Sequence, residues 1–270
     1  MIRHHRLARA ALHCSMLAAM CGSLLVPSSL LYAADASALD SAALGFKQYL
    51  LRQIAQCQRA TNTMRERIAA RDLPGARQAW LAARGGWEGS EVITSELFAD
   101  LDRKIDAWPD AQRGFHAIEA KLFGAHDVQV LPAAEELVGN LAEFERQLRA
   151  ASLSPQGLLN GSTKLAYEIG ENKAEGGESP FSGNSLAEMR DNLSSIDAAY
   201  QQVFAAVTKK RDAELAKTVS ADLADIRSLV AVPSINELDQ VRLRNSSESL
   251  AGDLVRVANA AGLDKPGLGD

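Results

Sequence analysis

Residues 185–207 of the chain read SLAEMRDNLSSIDAAYQQVFAAV, with an apolar side chain at every third or fourth position. The recurring apolar residues are Leu186, Met189, Leu193, Ile196, Tyr200, Val203 and Val207. Because an α-helix completes a turn every 3.6 residues, these side chains share one face of a helix. Ser185 and Glu188 have the spacing of a capping box, which predicts that the helix begins at Ser185.

The helical pattern continues downstream of this stretch. Residues 215–230 carry the same spacing, and Ser234 with Glu237 predicts the cap of a last helix that includes residues 250–257. Immediately upstream, residues 170–183 are polar and rich in glycine, which predicts the one long loop of the chain. Long loops in compact proteins often carry function.

Further upstream, periodicity and helix-start signals predict the rest of the architecture. The predicted elements are a helix over residues 46–68, a helix opened by Pro74, a break at 100–110, a short helix over 110–123, a helix opened by Pro132, and a helix from Ser154-Pro155 to Ile169. No segment alternates with period two long enough to form a strand. We therefore predict an all-α protein of one or two antiparallel bundles.

The N-terminal residues predict export. Residues 1–34 combine three arginines with an apolar stretch and end in small residues, which is typical of a secretory signal peptide. Pro27 interrupts the apolar run before it reaches membrane-spanning length, and Met20 before Cys21 does not fit a lipoprotein signal. We expect a soluble periplasmic protein, with no stable membrane insertion, whose helical domain covers residues 35–270.

Charge and residue counts limit the possible functions. The chain carries 29 Lys+Arg and 34 Asp+Glu, and without a basic cluster this acidity argues against nucleic acid or an anionic membrane as the main partner. Removing residues 1–34 removes three arginines and no acidic residue, which changes the formal charge from −5 to about −8. Cys57 is then the only cysteine, and a metal site that uses imidazole has only His116 and His126 to draw on.

Potential metal ligands concentrate in residues 84–119. His116 and Glu119 lie three residues apart on the predicted short helix, so both side chains can reach one ion. Glu88 and Glu91 have the same spacing. The acidic residues between these pairs include Asp100, Asp102 and Asp106. Crowded carboxylates raise each other's pKa unless a cation neutralises them, so the group is either spread into solvent or built around a metal.

Four segments carry an ordered set of motifs. They are WEGSE at 87–91, FADLDRKID at 98–106, GFHAIE at 114–119 and KAEGGESPFS at 173–182. In this order they resemble the imelysin/EfeO-like family. The resemblance implies an all-α fold of two antiparallel four-helix bundles. The metal ligands that it implies are Glu88, Glu91, Asp106, His116 and Glu119, with Glu178 from the loop as a further ligand.

The resemblance also implies a function in metal uptake. Such a protein would capture iron in the periplasm and deliver it to an inner-membrane uptake system. Its partners would be an inner-membrane iron permease and a periplasmic haem peroxidase-like protein. Carboxylate oxygens with one imidazole suit iron, as Fe²⁺ or Fe³⁺, and the same set could hold zinc or copper.

Two alternatives use the same residues. The family has also been described as metallopeptidases, but zinc peptidases of the His-Glu-x-x-His kind need two histidines one helical turn apart. Here Ala120 stands four residues after His116, and His126 lies ten residues on. The sequence therefore favours a non-enzymatic metal-binding protein over a metallopeptidase. The other alternative, binding of an anionic polysaccharide through a metal bridge, is not separated from ion capture by the sequence.

Overall fold

The computed structural model describes the backbone of residues 28–106 and 112–267, with side chains from residue 35 onward except that of Asn172. Most of the predicted signal peptide therefore lies outside the described residues, as does the second half of the predicted break, residues 107–110. The helices are α1 (Ser28–Ala69), α2 (Leu73–Glu88), α3 (Thr94–Leu97), α4 (Ala99–Ile105), α5 (Gly114–Glu119), α6 (Leu131–Ala150), α7 (Pro155–Glu168), α8 (Ser185–Ala199), α9 (Ala205–Arg211), α10 (Ala213–Leu229) and α11 (Gln240–Ala261).

Short turns of other helical types join or extend these helices. The 3₁₀ turns are Glu91–Ile93 and Ile235–Glu237, and the π-helical turns are Ala120–Gly124, Ile169–Lys173 and Tyr200–Phe204. Each π-helical turn directly continues an α-helix, namely α5, α7 or α8. Such wide turns are rare and are frequently found at functional sites.

The helices form two bundles, as predicted. Helices α1, α2, α5 and α6 pack together in the first, and α7, α8, α10 and α11 in the second. Contacts of α2 with α8 join the two, and the buried apolar side chains form one continuous core. The described ranges contain no strand, and the all-α prediction is confirmed. None of the helices in these ranges combines the length and the apolar character needed to cross a lipid bilayer.

Several predicted helix starts are confirmed by their caps. The Asp72 carboxylate accepts a hydrogen bond from the Gly75 amide at 3.0 Å, and α2 has Pro74 in its first turn. The Ser154 hydroxyl accepts one from the Gly157 amide at 3.0 Å at the start of α7. These caps satisfy amides that the first turn of a helix leaves without a partner.

The predicted break at 100–110 is wrong over its first half, because α4 occupies Ala99–Ile105. Leu101 and Ile105 lie four residues apart and are both buried, so two apolar residues suffice to fix a short helix against the core. The surrounding charges also favour a helix. Acidic residues stand in its first turn and basic residues in its last, which complements the helix dipole.

Both predicted capping boxes are also wrong. Helix α8 does start at Ser185, but the Ser185 hydroxyl donates to the Gly176 carbonyl at 3.3 Å instead of capping the helix. Helix α11 starts at Gln240, and its first-turn amides are capped by Asp239, while Ser234 caps the preceding 3₁₀ turn. The Ser-x-x-Glu spacing was present in both places, but Ser185 bonds to the preceding loop and Ser234 caps a 3₁₀ turn.

Helices α1 and α2 approach each other closely at Gly86. A Cβ atom on Gly86 would lie 2.6 Å from the backbone nitrogen of Cys57 and 2.8 Å from the carbonyl oxygen of Gln53. Since these are backbone atoms, they cannot move aside as a flexible side chain would. The absence of a side chain at Gly86 therefore allows α2 to lie against α1 at this distance.

We expect Gly86→Ala to lower the free energy of unfolding by about 1–3 kcal/mol, because the added methyl group forces the two backbones apart. Gly139 on α6 provides a matched control, since it is exposed and a Cβ there would meet nothing within 4 Å. Gly139→Ala should raise the free energy of unfolding by about 0.5–1 kcal/mol through helix propensity alone. Urea denaturation followed by circular dichroism measures both, and equal effects at the two positions would contradict the packing at Gly86.

Candidate metal centre

The six candidate ligands lie in one group, to which α2, α4, α5 and the loop before α8 all contribute. Their positions are Glu88 at the end of α2, Glu91 in the 3₁₀ turn after it, Asp106 just after α4, His116 and Glu119 on α5, and Glu178 in the loop. Two overlapping subsets come close enough to share an ion. One ligand atom from each of Glu88, Glu91, Asp106 and Glu178 lies within 4.8 Å of the others, and the same holds for Asp106, His116 and Glu178.

A buried arginine lies at the centre of this group. Arg84 is wholly buried on α2, and its guanidinium donates to Asp106 at 2.6 Å and to Glu188 at 3.0 Å. It also forms an ion pair with Glu88, one turn later on the same helix. The guanidinium lies over the ring of Phe115 at 5.3 Å from its centroid. Arg84 thus links three carboxylates from three separate segments.

A buried lysine contacts the other side of the group. The Lys173 ammonium donates to Glu88 at 2.9 Å, to Glu91 at 3.1 Å and to Glu178 at 3.0 Å, and the residue is only 3% exposed. The Asn192 amide, from α8, donates to Glu88 and to Glu91 at 2.8 Å each. Every carboxylate of the Glu88–Glu91–Glu178 subset is therefore held by Lys173.

The imidazole of His116 lies between two carboxylates. Its Nε2 is 3.0 Å from Asp106 and its Nδ1 is 3.7 Å from Glu119. The other oxygen of Glu119 accepts hydrogen bonds from the loop, at 3.2 Å from the Phe181 amide, 2.8 Å from the Ser182 amide and 2.7 Å from the Ser182 hydroxyl. Glu119 therefore fixes the loop that supplies Glu178 against α5.

The return of the chain from α4 to α5 depends on Gly114. Its φ of +66° lies in the left-handed region, and a Cβ there would lie 2.1 Å from the Ile105 carbonyl oxygen. Glycine is the residue that tolerates both conditions. This close approach places Asp106, at the end of one helix, beside His116 in the first turn of the next.

The charges of the group determine where its protons reside. Burial opposes the charge of Asp106, but Arg84 and His116 outweigh it and hold its pKa below the usual range. Burial also opposes the charge of His116, and Asp106 outweighs it and raises the pKa of the imidazole to about 9. Burial raises the pKa of Glu178 to about 7 despite Lys173, and burial with Glu88 raises the pKa of Glu91 well above its usual value. Without a metal, these shifts favour the cationic form of His116 and the protonated form of Glu91, and they place the titration of Glu178 near neutral pH.

Three members of the group were not predicted as site residues. Lys173 begins a segment that carries the family resemblance, but only Glu178 of that segment was singled out. Glu188 was assigned to a capping box. Asn192 lies four residues after Glu188 on α8, so the two form a polar pair on the buried side of an amphipathic helix. This polar pair on an otherwise apolar helix face is the sequence signal that could have identified both residues as members of the group.

A cavity of about 520 Å³ reaches the group from one side. Its lining includes Glu91, Asp106, Lys173 and Glu178 of the group, and also Glu168 of α7. The cavity therefore places several of the acidic side chains beside space that is not filled by protein atoms. In contrast, His126 lies in the loop after α5, where its Nδ1 is 2.6 Å from Arg77, and it takes no part in this group.

Asp191 on α8 provides a test of the electrostatics without touching the candidate ligands. Burial, and then Glu88 and Glu188, raise the pKa of Asp191 to about 6, above a value near 3.9 in an unfolded chain. The folded state therefore takes up a proton between roughly pH 4 and 6, and stability falls as the pH rises through that range. We expect Asp191→Asn to raise the free energy of unfolding more at pH 8 than at pH 5.

The matched control for this prediction is Asp40→Asn, which removes the same charge from an exposed position on α1. Urea denaturation at pH 5 and pH 8 gives the comparison. An increase in the free energy of unfolding for Asp191→Asn that is equal at pH 5 and pH 8 would show that the pKa of Asp191 is not raised in the folded protein.

The chain is similar in sequence to several known proteins. The Imelysin (Peptidase_M75) family model matches residues 42–257. The iron uptake system component EfeM of Bacillus subtilis is 26% identical over 190 residues, which is 68% of this chain and 49% of that protein. An EfeM/EfeO family lipoprotein of Staphylococcus haemolyticus is 24% identical over 205 residues, covering 72% of this chain and 71% of the relative. The chain thus spans about half the length of the Bacillus protein.

The fold has a counterpart among solved structures. The crystal structure of an iron-regulated protein A precursor from Parabacteroides distasonis superposes with a TM-score of 0.62 at 17% identity, over 84% of this chain and 95% of that one. At this identity the likeness concerns the fold alone. The family model, however, extends from the first half of α1 almost to the end of α11, and on that match the chain belongs to the imelysin family.

Proposed function

We propose that this protein captures iron in the periplasm and delivers it to an inner-membrane uptake system. The observation that carries the proposal is the charge balance of the buried group. Six carboxylates, five from candidate ligands and one from the neighbouring Glu188, face only three cationic side chains. The carboxylates are Glu88, Glu91, Asp106, Glu119, Glu178 and Glu188, and the cations are Arg84, Lys173 and His116. Relatives named as iron uptake components support the choice of metal.

The side of the group that contains histidine offers the first position for an ion. Asp106, His116 and Glu178 present one oxygen or nitrogen atom each, all within 4.8 Å of one another. Oxygen and imidazole ligands approach a transition metal at about 2.0–2.2 Å, so two ligands on opposite sides of an ion are about 4 Å apart. The group therefore needs only a small contraction to hold an ion there.

Ion binding at this position would replace protons. His116 must become neutral to coordinate through nitrogen, and Glu178 must be ionised to coordinate through oxygen. Glu119 would orient the imidazole through Nδ1 while holding the loop through Ser182. Iron is the proposed cargo, and zinc or copper would be accepted by the same donor types.

The location and the partners of the protein belong to the same proposal. Export rests on the signal-peptide pattern of residues 1–34. Most of these residues, including Cys21, lie outside the described part of the chain. An inner-membrane iron permease and a periplasmic haem peroxidase-like protein are the partners implied by the family resemblance. No observation on the described residues favours the metallopeptidase alternative, since His126 bonds to Arg77 away from the acidic group.

We expect His116→Ala and Glu119→Ala each to weaken Fe²⁺ binding by about tenfold or more, because one removes a ligand and the other releases both the imidazole and the loop. Isothermal titration calorimetry of the mature protein under anaerobic conditions measures the affinity, and circular dichroism checks that the variants are folded.

The control is His126→Ala, which removes the other histidine of the mature chain and should bind Fe²⁺ as the unaltered protein does. Unchanged affinity in both His116→Ala and Glu119→Ala would remove the proposed site, and a chain that binds no iron at all would remove the proposed function.

A further inference from the structure

The ammonium group of Lys173 occupies the position that a metal ion would take on the carboxylate side of the group. Its Nζ lies 2.9–3.1 Å from oxygens of Glu88, Glu91 and Glu178. These three residues, with Asp106, are the ones whose oxygens come close enough to one another to share an ion. One protonated amine therefore bonds to three of the four carboxylates of that subset.

We infer that Lys173 is an exchangeable resident cation, and that a metal ion enters the Glu88–Glu91–Glu178 position only by displacing its ammonium group. The inference rests on the proposed function, since it concerns how that same group accepts an ion. It adds a positioning residue that sets the affinity of the site, and it distinguishes a histidine side from a carboxylate side whose oxygens Lys173 already holds.

The two cations cannot share the position. A metal ion binds carboxylate oxygens at about 2.0–2.2 Å, while an ammonium group needs about 2.7–2.9 Å to each oxygen. An ion bound to the same three oxygens would therefore lie almost on top of Nζ. Two positive charges at that separation in a buried site also repel each other strongly.

The cavity offers space for the ammonium group of Lys173 when a metal ion displaces it. Its side chain lines the cavity of about 520 Å³, which Glu168, five residues earlier in the chain, also lines. Lys173 is the last residue of the π-helical turn Ile169–Lys173, and the loop after it contains Gly176, with a φ of +73°, and Gly177. The ammonium can therefore leave the three carboxylates for the cavity and remain near a carboxylate.

The buried guanidinium of Arg84 differs from Lys173 in each of these respects. Arg84 lies within α2, its side chain does not line the cavity, and aromatic rings pack on its guanidinium. It donates to Asp106 and Glu188 and pairs with Glu88, so moving it would break the links between three segments. Arg84 is thus a fixed cation, whereas Lys173 is the one that can be exchanged.

The first test uses the unaltered protein. Its lysines are acetylated under limiting reagent with and without saturating Zn²⁺, a redox-inert probe, and the extent at each lysine is read by mass spectrometry. Lys173 should react slowly without metal because it is buried and bonded to three carboxylates, and severalfold faster with metal. Lys217 on α10, which is exposed, serves as the internal reference and should not change.

The second test removes the amine. Lys173→Met should bind Zn²⁺ about tenfold tighter or more, because the ion no longer competes with a resident charge. Lys217→Met is the matched control and should bind as the unaltered protein does. If Lys173→Met does not fold, the acetylation experiment decides alone.

The outcomes separate this inference from the proposed function. Metal binding by the unaltered protein with no rise in the reactivity of Lys173, or weaker binding by Lys173→Met, overturns the inference and leaves the metal site in place. Failure of both the unaltered protein and Lys173→Met to bind metal overturns the inference and the proposed function together.

Discussion

The buried guanidinium of Arg84 is the interaction on which the arrangement of the site depends. A charge without water must be met by opposite charges and hydrogen bonds, and Arg84 finds them in carboxylates from α2, from the end of α4 and from α8. Because α2 belongs to the first bundle and α8 to the second, these contacts fix one bundle against the other. Removing one partner would leave an uncompensated buried charge, a loss of the order of 3–5 kcal/mol.

The helices were predictable because their signals are local. Apolar spacing identified the buried faces of α6 and α8, and Pro74 and Ser154 marked two starts correctly. The errors arose where a local motif met a stronger distant partner. Glu188 satisfies the capping-box spacing, but the guanidinium of Arg84, 104 residues away in the chain, takes its carboxylate. Helix α4 was missed because its charged residues suggested a loop, although their order suits a helix.

The candidate ligands could be found from sequence, whereas Lys173, which holds three of them, could not. Spacing and family resemblance indicated Glu88 and Glu91, and the structure brings them together with residues from two other segments. Lys173 lies 85 residues from Glu88 in the chain, and Asn192 lies 104 residues from it, so no local pattern links them. The requirement that a buried acidic group be neutralised predicts that such cations exist, but only the fold shows which residues they are.

The balance of charge distinguishes this group from an ordinary buried ion-pair network. A network that serves only stability gains by matching each buried carboxylate with a cation, because every unmatched charge costs desolvation energy. Here the carboxylates outnumber the cations two to one, and the raised pKa values of Glu91 and Glu178 favour protons that make up part of the difference. Protons and a movable ammonium group are both cations that a metal ion can replace. The fold thus keeps the carboxylates together beside an open cavity while leaving part of their charge to occupants that can depart.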